Sequence, residues 1–110
     1  MQFSVKTAGE VAIVMLQGKL DHRTSPDVQE QMTVLFEKGE AKILVNLKDL
    51  DYVSSAGLRI FLAAARQLKP DGGEIRICSL NDIVREVFEI SGFTTIFKVF
   101  ANEAEALDGF

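Results

Sequence analysis

The sequence predicts one α/β domain over residues 1–110, in which a small mixed β-sheet packs with helices. Short apolar runs typical of strands alternate with segments whose apolar residues follow helical spacing. Glycines and prolines fall singly between these segments, so nothing in the sequence indicates a linker. A domain of this length buries roughly two thirds of the surface that its unfolded chain exposes, which suffices for one core.

The N-terminal residues predict a β-hairpin. Residues 11–16 form a run rich in β-branched side chains that ends at Gln17-Gly18. A shorter strand over residues 2–6 joins it through Ala8-Gly9. Two strands of this kind around a short glycine-containing connection are the usual signal of a hairpin.

A helix is predicted next, from Ser25 to Gly39. A serine oxygen can cap free N–H groups, and Pro26 lacks only an N–H that the first turn does not use. Gly39 marks the end of the helix. One apolar face lies between these limits: Val28, Met32, Leu35 and Phe36.

The middle of the chain predicts a strand-helix-strand unit. Residues 43–47 are nearly all apolar, the pattern of a central strand covered on both faces. Residues 48–53 are expected to be a connector, with Asp49 and Asp51 as turn residues. A helix over residues 58–68 and a strand over residues 74–78 follow.

The C-terminal third predicts a helix, a short strand and a last helical turn. Ser79 and Asp82 have the spacing of a capping box before an apolar helical face that ends at Gly92. Residues 97–100 form a strand, and Asn102 caps the final turns. We expect Phe93 and Phe97 to close the core.

The composition excludes several functional classes. There are 12 basic and 16 acidic residues, a net charge of −4, and no basic cluster of the kind that nucleic acid or an anionic membrane surface requires. One histidine and one cysteine leave very little for metal binding or nucleophilic catalysis, and we expect neither a metal nor a cofactor. Cys78 lies in an apolar run and is expected to be a buried free thiol. The N-terminus lacks a signal-peptide pattern, so we expect a cytoplasmic protein without a membrane segment.

Residues 51–58 are the candidate site, because they run from the predicted central strand into a helix N-terminus. The free N–H groups there accommodate a hydroxyl or a phosphate. Gly57 costs about 1 kcal/mol relative to alanine in a helix, which suggests that something approaches the backbone closely. Ser54 and Ser55 fit either an ordinary helix cap or a site of covalent modification, and the spacing leaves both open.

The run from Ser54 to Leu58 resembles the signature of the STAS-domain anti-sigma factor antagonists, Asp-Ser-(Ser, Ala or Thr)-Gly-Leu-Gly. The resemblance covers residues 10–107. Its other segments follow in the family's order: Gly18-Lys19-Leu20-Asp21, the strand and loop over 44–50, Ser91-Gly92-Phe93 and the acidic helix over 103–107.

The resemblance implies a STAS-like fold and a phosphorylation site. The serine that the family phosphorylates corresponds to Ser55, with Ser54 as the alternative, because Ser54 stands where the family has aspartate. Arg59 likewise replaces a small residue. Asp21 corresponds to an aspartate beside the family's phosphorylated serine. The partner-binding residues are expected to be Asp21, His22, Thr24, Ser54, Gly57 and Leu58, although Asp21 and His22 also fit a plain solvated loop.

The function that the resemblance implies is antagonism of an anti-sigma factor by a protein that is not an enzyme. The unphosphorylated form would bind an anti-sigma factor that is also a serine kinase, and a serine phosphatase would reverse the phosphorylation. An alternative is a STAS scaffold subunit of a lipid-transport or signalling complex that is not phosphorylated. A small hydrolase or transferase using Ser55 with His22 is a third hypothesis, although nothing in the sequence supplies a third orienting group.

Overall fold

The computed structural model describes all 110 residues. In chain order the elements are β1 (Gln2–Ala8), β2 (Val11–Leu20), α1 (Ser25–Glu37), β3 (Lys42–Asn46), β4 (Leu50–Val53), α2 (Ser55–Leu68), β5 (Glu74–Cys78), α3 (Asp82–Ile90), β6 (Lys98–Phe100) and α4 (Glu103–Leu107). Short 3-10 turns at Lys69–Asp71 and Phe93–Thr95 follow α2 and α3. None of the helices has the length and hydropathy needed to cross a membrane.

The sheet is mixed, as predicted. β1 and β2 form the antiparallel hairpin, and β2, β3, β5 and β6 then lie side by side in parallel. β3 is central, and its Ile43, Leu44 and Val45 are fully buried. Ile43 and Val45 belong to the main core cluster, and Leu44 belongs to the smaller one. This explains why the strand is apolar without alternation.

The main core contains side chains of α1, α2 and α3 packed with those of the sheet. Phe61 of α2 and Phe88 of α3 are fully buried, with ring centroids 6.1 Å apart. Phe93 lies edge-on to Phe88, and Phe97 follows at 5.6 Å from Phe93. Phe97 is buried and Phe93 packs half-buried against the same core, which confirms the role predicted for both.

α4 and the residues after it pack on the smaller core cluster and are held by a buried arginine. The Arg76 guanidinium donates hydrogen bonds to the carbonyl oxygens of Ala106, Asp108 and Gly109 at 2.9 to 3.0 Å. Cys78 is a buried free thiol, as predicted, and burial raises the pKa of its thiol.

The segment predicted as a connector contains a strand, β4, so that prediction was wrong. β2 continues past its predicted end at Gly18, where the register shifts and φ is +109°. The added residues of β2 pair in parallel with β4. Asp51 is therefore a strand residue, and only Asp49 lies in the turn. β4 was missed because its four residues show no period-two alternation: the two end residues are buried and the two middle ones are exposed.

Two predicted helix caps were also wrong. Thr24 and not Ser25 occupies the N-cap position of α1, and the Ser25 hydroxyl donates instead to the Asp21 carbonyl. Asn81 caps α3 in place of Ser79, which has a left-handed φ of 65° where the chain turns out of β5. That turn delays the start of the helix. Asn102 caps α4, as predicted.

Candidate functional site

The candidate site lies where β2 and β4 end side by side. Val53 is the parallel partner of Leu20, and the Ser54 N–H donates to the Leu20 carbonyl at 2.9 Å. Asp21 and Ser54 therefore follow neighbouring strands at one edge of the sheet. The sequence predicted that the helix carrying Ser55 follows the central strand directly. It follows β4 instead.

The two candidate serines have different environments. Ser54 is the half-buried N-cap of α2, and its Oγ accepts a hydrogen bond from the Gly57 N–H at 3.4 Å. Ser55 is the first residue of α2 and is exposed, and its hydroxyl makes no hydrogen bond within the chain. The helix cap is therefore Ser54, whereas the Ser55 hydroxyl is exposed and has no partner within the chain.

The β2–α1 loop is held by hydrogen bonds around Asp21. Its carboxylate accepts from the backbone N–H of Arg23 at 2.9 Å and of Thr24 at 3.2 Å. These bonds, that of Arg23 first, hold the pKa of Asp21 below its ordinary value. The Thr24 hydroxyl donates to the Lys19 carbonyl at 2.9 Å and accepts from the Asp21 N–H. The loop thus presents an ionised carboxylate at neutral pH.

His22 of this loop lies in a groove between α1 and α2. It is exposed and lines the groove together with Arg59, which is exposed on α2. Ser55 does not line this groove, and it makes no hydrogen bond with His22. No group of three or more His, Cys, Asp or Glu side chains could hold a metal ion.

Gly57 and Leu58 lie beneath the site and are buried. A Cβ at Gly57 would fall 2.7 Å from Leu20 Cγ and 2.9 Å from Val53 Cγ2. The close approach expected at this glycine is therefore that of two strand side chains and not of a ligand. Gly57 and Leu58 therefore support the site from below, and its exposed surface is formed by other residues.

Arg59 also lies at this edge, although the sequence pattern indicated it only as a departure from the family signature and not as a site residue. It lies one turn after Ser55 on α2 and forms no ion pair within the chain. Its spacing of four residues from Ser55 could have indicated this position, since residues four apart are neighbours on a helix surface.

Known proteins resemble this chain over nearly its whole length. The STAS domain model matches residues 2–106. BtrV of Bordetella bronchiseptica, whose name assigns it to the anti-sigma factor antagonists, is 41% identical over 96% of this chain and 90% of its own length. The anti-sigma F factor antagonist of Paenibacillus polymyxa is 32% identical over 97% of this chain and 92% of its own.

The solved structures include the anti-sigma factor antagonist SpoIIAA of Bacillus. Its unphosphorylated form is 27% identical, with a TM-score of 0.83 over 97% of this chain and 94% of its own. Its phosphorylated form gives a TM-score of 0.75 at 25% identity over 97% of both chains. These relatives are named for a regulatory role and not for a reaction. By sequence and by fold, the chain belongs to the STAS-domain family of anti-sigma factor antagonists.

Proposed function

We propose that the chain binds an anti-sigma factor in its unphosphorylated form, so that a sigma factor is released, and that phosphorylation of Ser55 ends this binding. The names of its relatives support the first part. The observation that carries the second is the contrast between the two serines: Ser54 is engaged as a cap, and Ser55 is exposed and unbonded.

The proposed modification is a phosphoryl transfer in which this chain is the substrate. Ser55 Oγ attacks the γ-phosphorus of ATP, the bond to ADP breaks, and the hydroxyl proton passes to a base of the kinase. The kinase is the anti-sigma factor itself. A serine phosphatase then hydrolyses the phosphoester, which restores the serine and releases inorganic phosphate. We expect this cycle to run in the cytoplasm.

The fold can carry a phosphate at Ser55 without unfolding. The first turn of α2 has unpaired backbone N–H groups, and the positive end of the helix dipole favours an anion there. The phosphate adds a charge of about −1.5 to −2 at the rim of the sheet. The switch therefore acts at the surface where the partner docks. Every 1.4 kcal/mol, roughly, by which the added anion destabilises the complex lowers the affinity tenfold.

The docking surface that we propose surrounds Ser55. It consists of Asp21, His22 and Thr24 of the β2–α1 loop and of Ser54, with Gly57 and Leu58 as the buried support below. The ionised Asp21 carboxylate gives this surface a fixed negative charge beside the serine that is modified. A phosphate would make the same surface more negative, so a partner with an acidic group opposite Ser55 would be repelled.

The test uses the protein with its cognate anti-sigma kinase and ATP, followed by peptide mass mapping. Wild type and Ser54→Ala should gain one phosphate at position 55, and Ser55→Ala should gain none. Ser55→Ala should also stay bound to the kinase in the presence of ATP, whereas Ser55→Asp should bind more weakly. An active kinase that leaves both serines unlabelled would exclude this mechanism. Stable binding that is indifferent to ATP would favour a scaffold subunit instead.

A further inference from the structure

We propose that Arg59 is the counter-ion of a phosphate on Ser55. The inference rests on the proposed function, since it concerns the phosphorylated state of the same residue. Ser55 is the first residue of α2 and Arg59 follows it by one turn, so their Cβ atoms are about 5 to 6 Å apart. The acidic group would precede the basic one, which is the favourable order for such a pair in a helix.

Arg59 is free to make this pair. Its side chain is exposed and forms no ion pair with another residue of the chain. A guanidinium group matches a phosphate with two parallel N–H donors, which makes arginine better suited to this role than lysine. On phosphorylation the side chain would therefore turn from the groove that it shares with His22 toward Ser55.

The pair changes what a partner meets at this edge. Before modification, the first turns of α2 carry one free positive charge, that of Arg59. After modification the phosphate pairs with this charge and leaves a net charge of about −0.5 to −1 in its place. Phosphorylation thus adds an anion and at the same time withdraws a cation from the surface. A partner carboxylate that binds Arg59 in the unphosphorylated form would lose that contact.

Phosphate titration measures the pair directly. A nearby cation stabilises the dianion, so Arg59 should lower the second pKa of the phosphoserine from its usual value of about 6. The other charged side chains on the elements at this edge are the same in the Arg59 and Arg66 variants: Lys19, Asp21, His22, Arg23 and Asp51. The comparison is repeated in a His22→Gln background, which removes the side chain that lines the same groove as Arg59.

The experiment incorporates phosphoserine at position 55 during synthesis and follows its phosphorus NMR shift with pH. Arg59→Gln should raise the phosphate pKa by about 0.3 units, and Arg59→Lys should restore at least half of that shift. Arg66→Gln is the matched control. It removes the same charge from an exposed position of the same helix, about 16 Å along the axis, beyond the screening length of about 8 Å.

The proposal is overturned if Arg59→Gln moves the phosphate pKa no more than Arg66→Gln does. It is also overturned if Arg59→Lys behaves like Arg59→Gln, because the charge would then not be responsible. No kinase takes part, so the result does not depend on whether Ser55 is a natural phosphorylation site. The kinase assay tests that question separately.

Discussion

Gly57 on α2 lies directly against Leu20 at the end of β2, so close that a Cβ at position 57 would fall 2.7 Å from Leu20 Cγ. Because Asp21 follows Leu20 and Ser55 lies two residues before Gly57, this contact fixes the first turn of α2 beside the β2–α1 loop. The absence of a side chain at Gly57 therefore lets the first turn of α2 pack closely beside the loop that carries the ionised aspartate.

Gly57→Ala tests that contact through the sign of its effect. If only helix propensity mattered, alanine would stabilise the protein by up to about 1 kcal/mol. The clash with Leu20 and Val53 predicts the opposite, a loss of about 1 to 3 kcal/mol, because two buried side chains must shift. Urea unfolding measures the difference. A variant more stable than wild type would show that α2 can move away from β2 at little cost.

Ser54→Ala and Ser55→Ala should differ in their effect on the stability of the protein, because the two serines have different environments. Ser54→Ala removes the N-cap of α2, and its 3.4 Å bond to Gly57 predicts a loss of about 0.5 to 1 kcal/mol. Ser55→Ala removes an exposed hydroxyl without a partner and should change stability by less than about 0.5 kcal/mol. Chemical denaturation of both variants checks this pair. Equal losses would contradict the assignment of the cap to Ser54.

The strands and helices with long apolar patterns could be predicted from the sequence, because burial on one or both faces dictates which residue types they contain. The central position of β3 follows in this way from the apolar residues 43–45. β4 could not be predicted, since it has only four residues and forms by pairing with the extension of β2 past Gly18. A strand that depends on the register of a distant partner has no local signature.

The candidate site, like the fold, could be predicted from the sequence only in part. Ser54 and Ser55 were identified from the pattern, but which of them caps the helix depends on a backbone conformation that spacing does not specify. Gly57 was singled out correctly as a place of close approach, yet the approaching atoms come from residue 20, far away in the sequence. The caps at Ser25 and Ser79 were misassigned because loop geometry placed Thr24 and Asn81 at those positions instead.

Asn81 should contribute more to stability than an ordinary helix cap, because both ends of its side-chain amide are used. Its Oδ1 accepts from Val84 N at 2.8 Å, and its Nδ2 donates to the Leu50 carbonyl at 2.7 Å, which ties α3 to β4. Asn81→Ala should cost about 2 kcal/mol. Asn81→Asp keeps a good cap but cannot donate, so its stability should lie between those of wild type and Asn81→Ala.

Asn102→Ala is the control for that prediction. It removes a cap of the same type on α4, where Oδ1 accepts from Glu105 N at 2.9 Å and the amide nitrogen makes no hydrogen bond within the chain. Its cost should be about 1 kcal/mol or less. If Asn81→Ala and Asn102→Ala cost the same in urea unfolding, the bond to Leu50 contributes nothing to stability.

Acid should weaken the fold in part through Glu74. Its Oε2 accepts from Arg76 Nε at 2.8 Å, and this hydrogen bond holds the pKa of Glu74 below its ordinary value of 4.5, with further lowering by the charges of Arg76 and Lys98. The folded state therefore binds this proton more weakly than the unfolded state does. The resulting stabilisation is complete above about pH 4.5 and is lost as the pH falls through the lowered pKa of the folded state.

Glu74→Gln removes the titrating group and keeps the shape of the side chain. Its stability should be lower than that of wild type at neutral pH and should depend less on pH in the acid range. The two proteins should converge at the lowest pH at which both still fold, because the wild-type carboxyl is then neutral as well. Some dependence will remain in the variant, since the pKa values of Asp21 and Glu103 are also lowered. Urea unfolding at a series of pH values gives both curves, and parallel curves would show that the Arg76 bond does not favour the ionised form of Glu74.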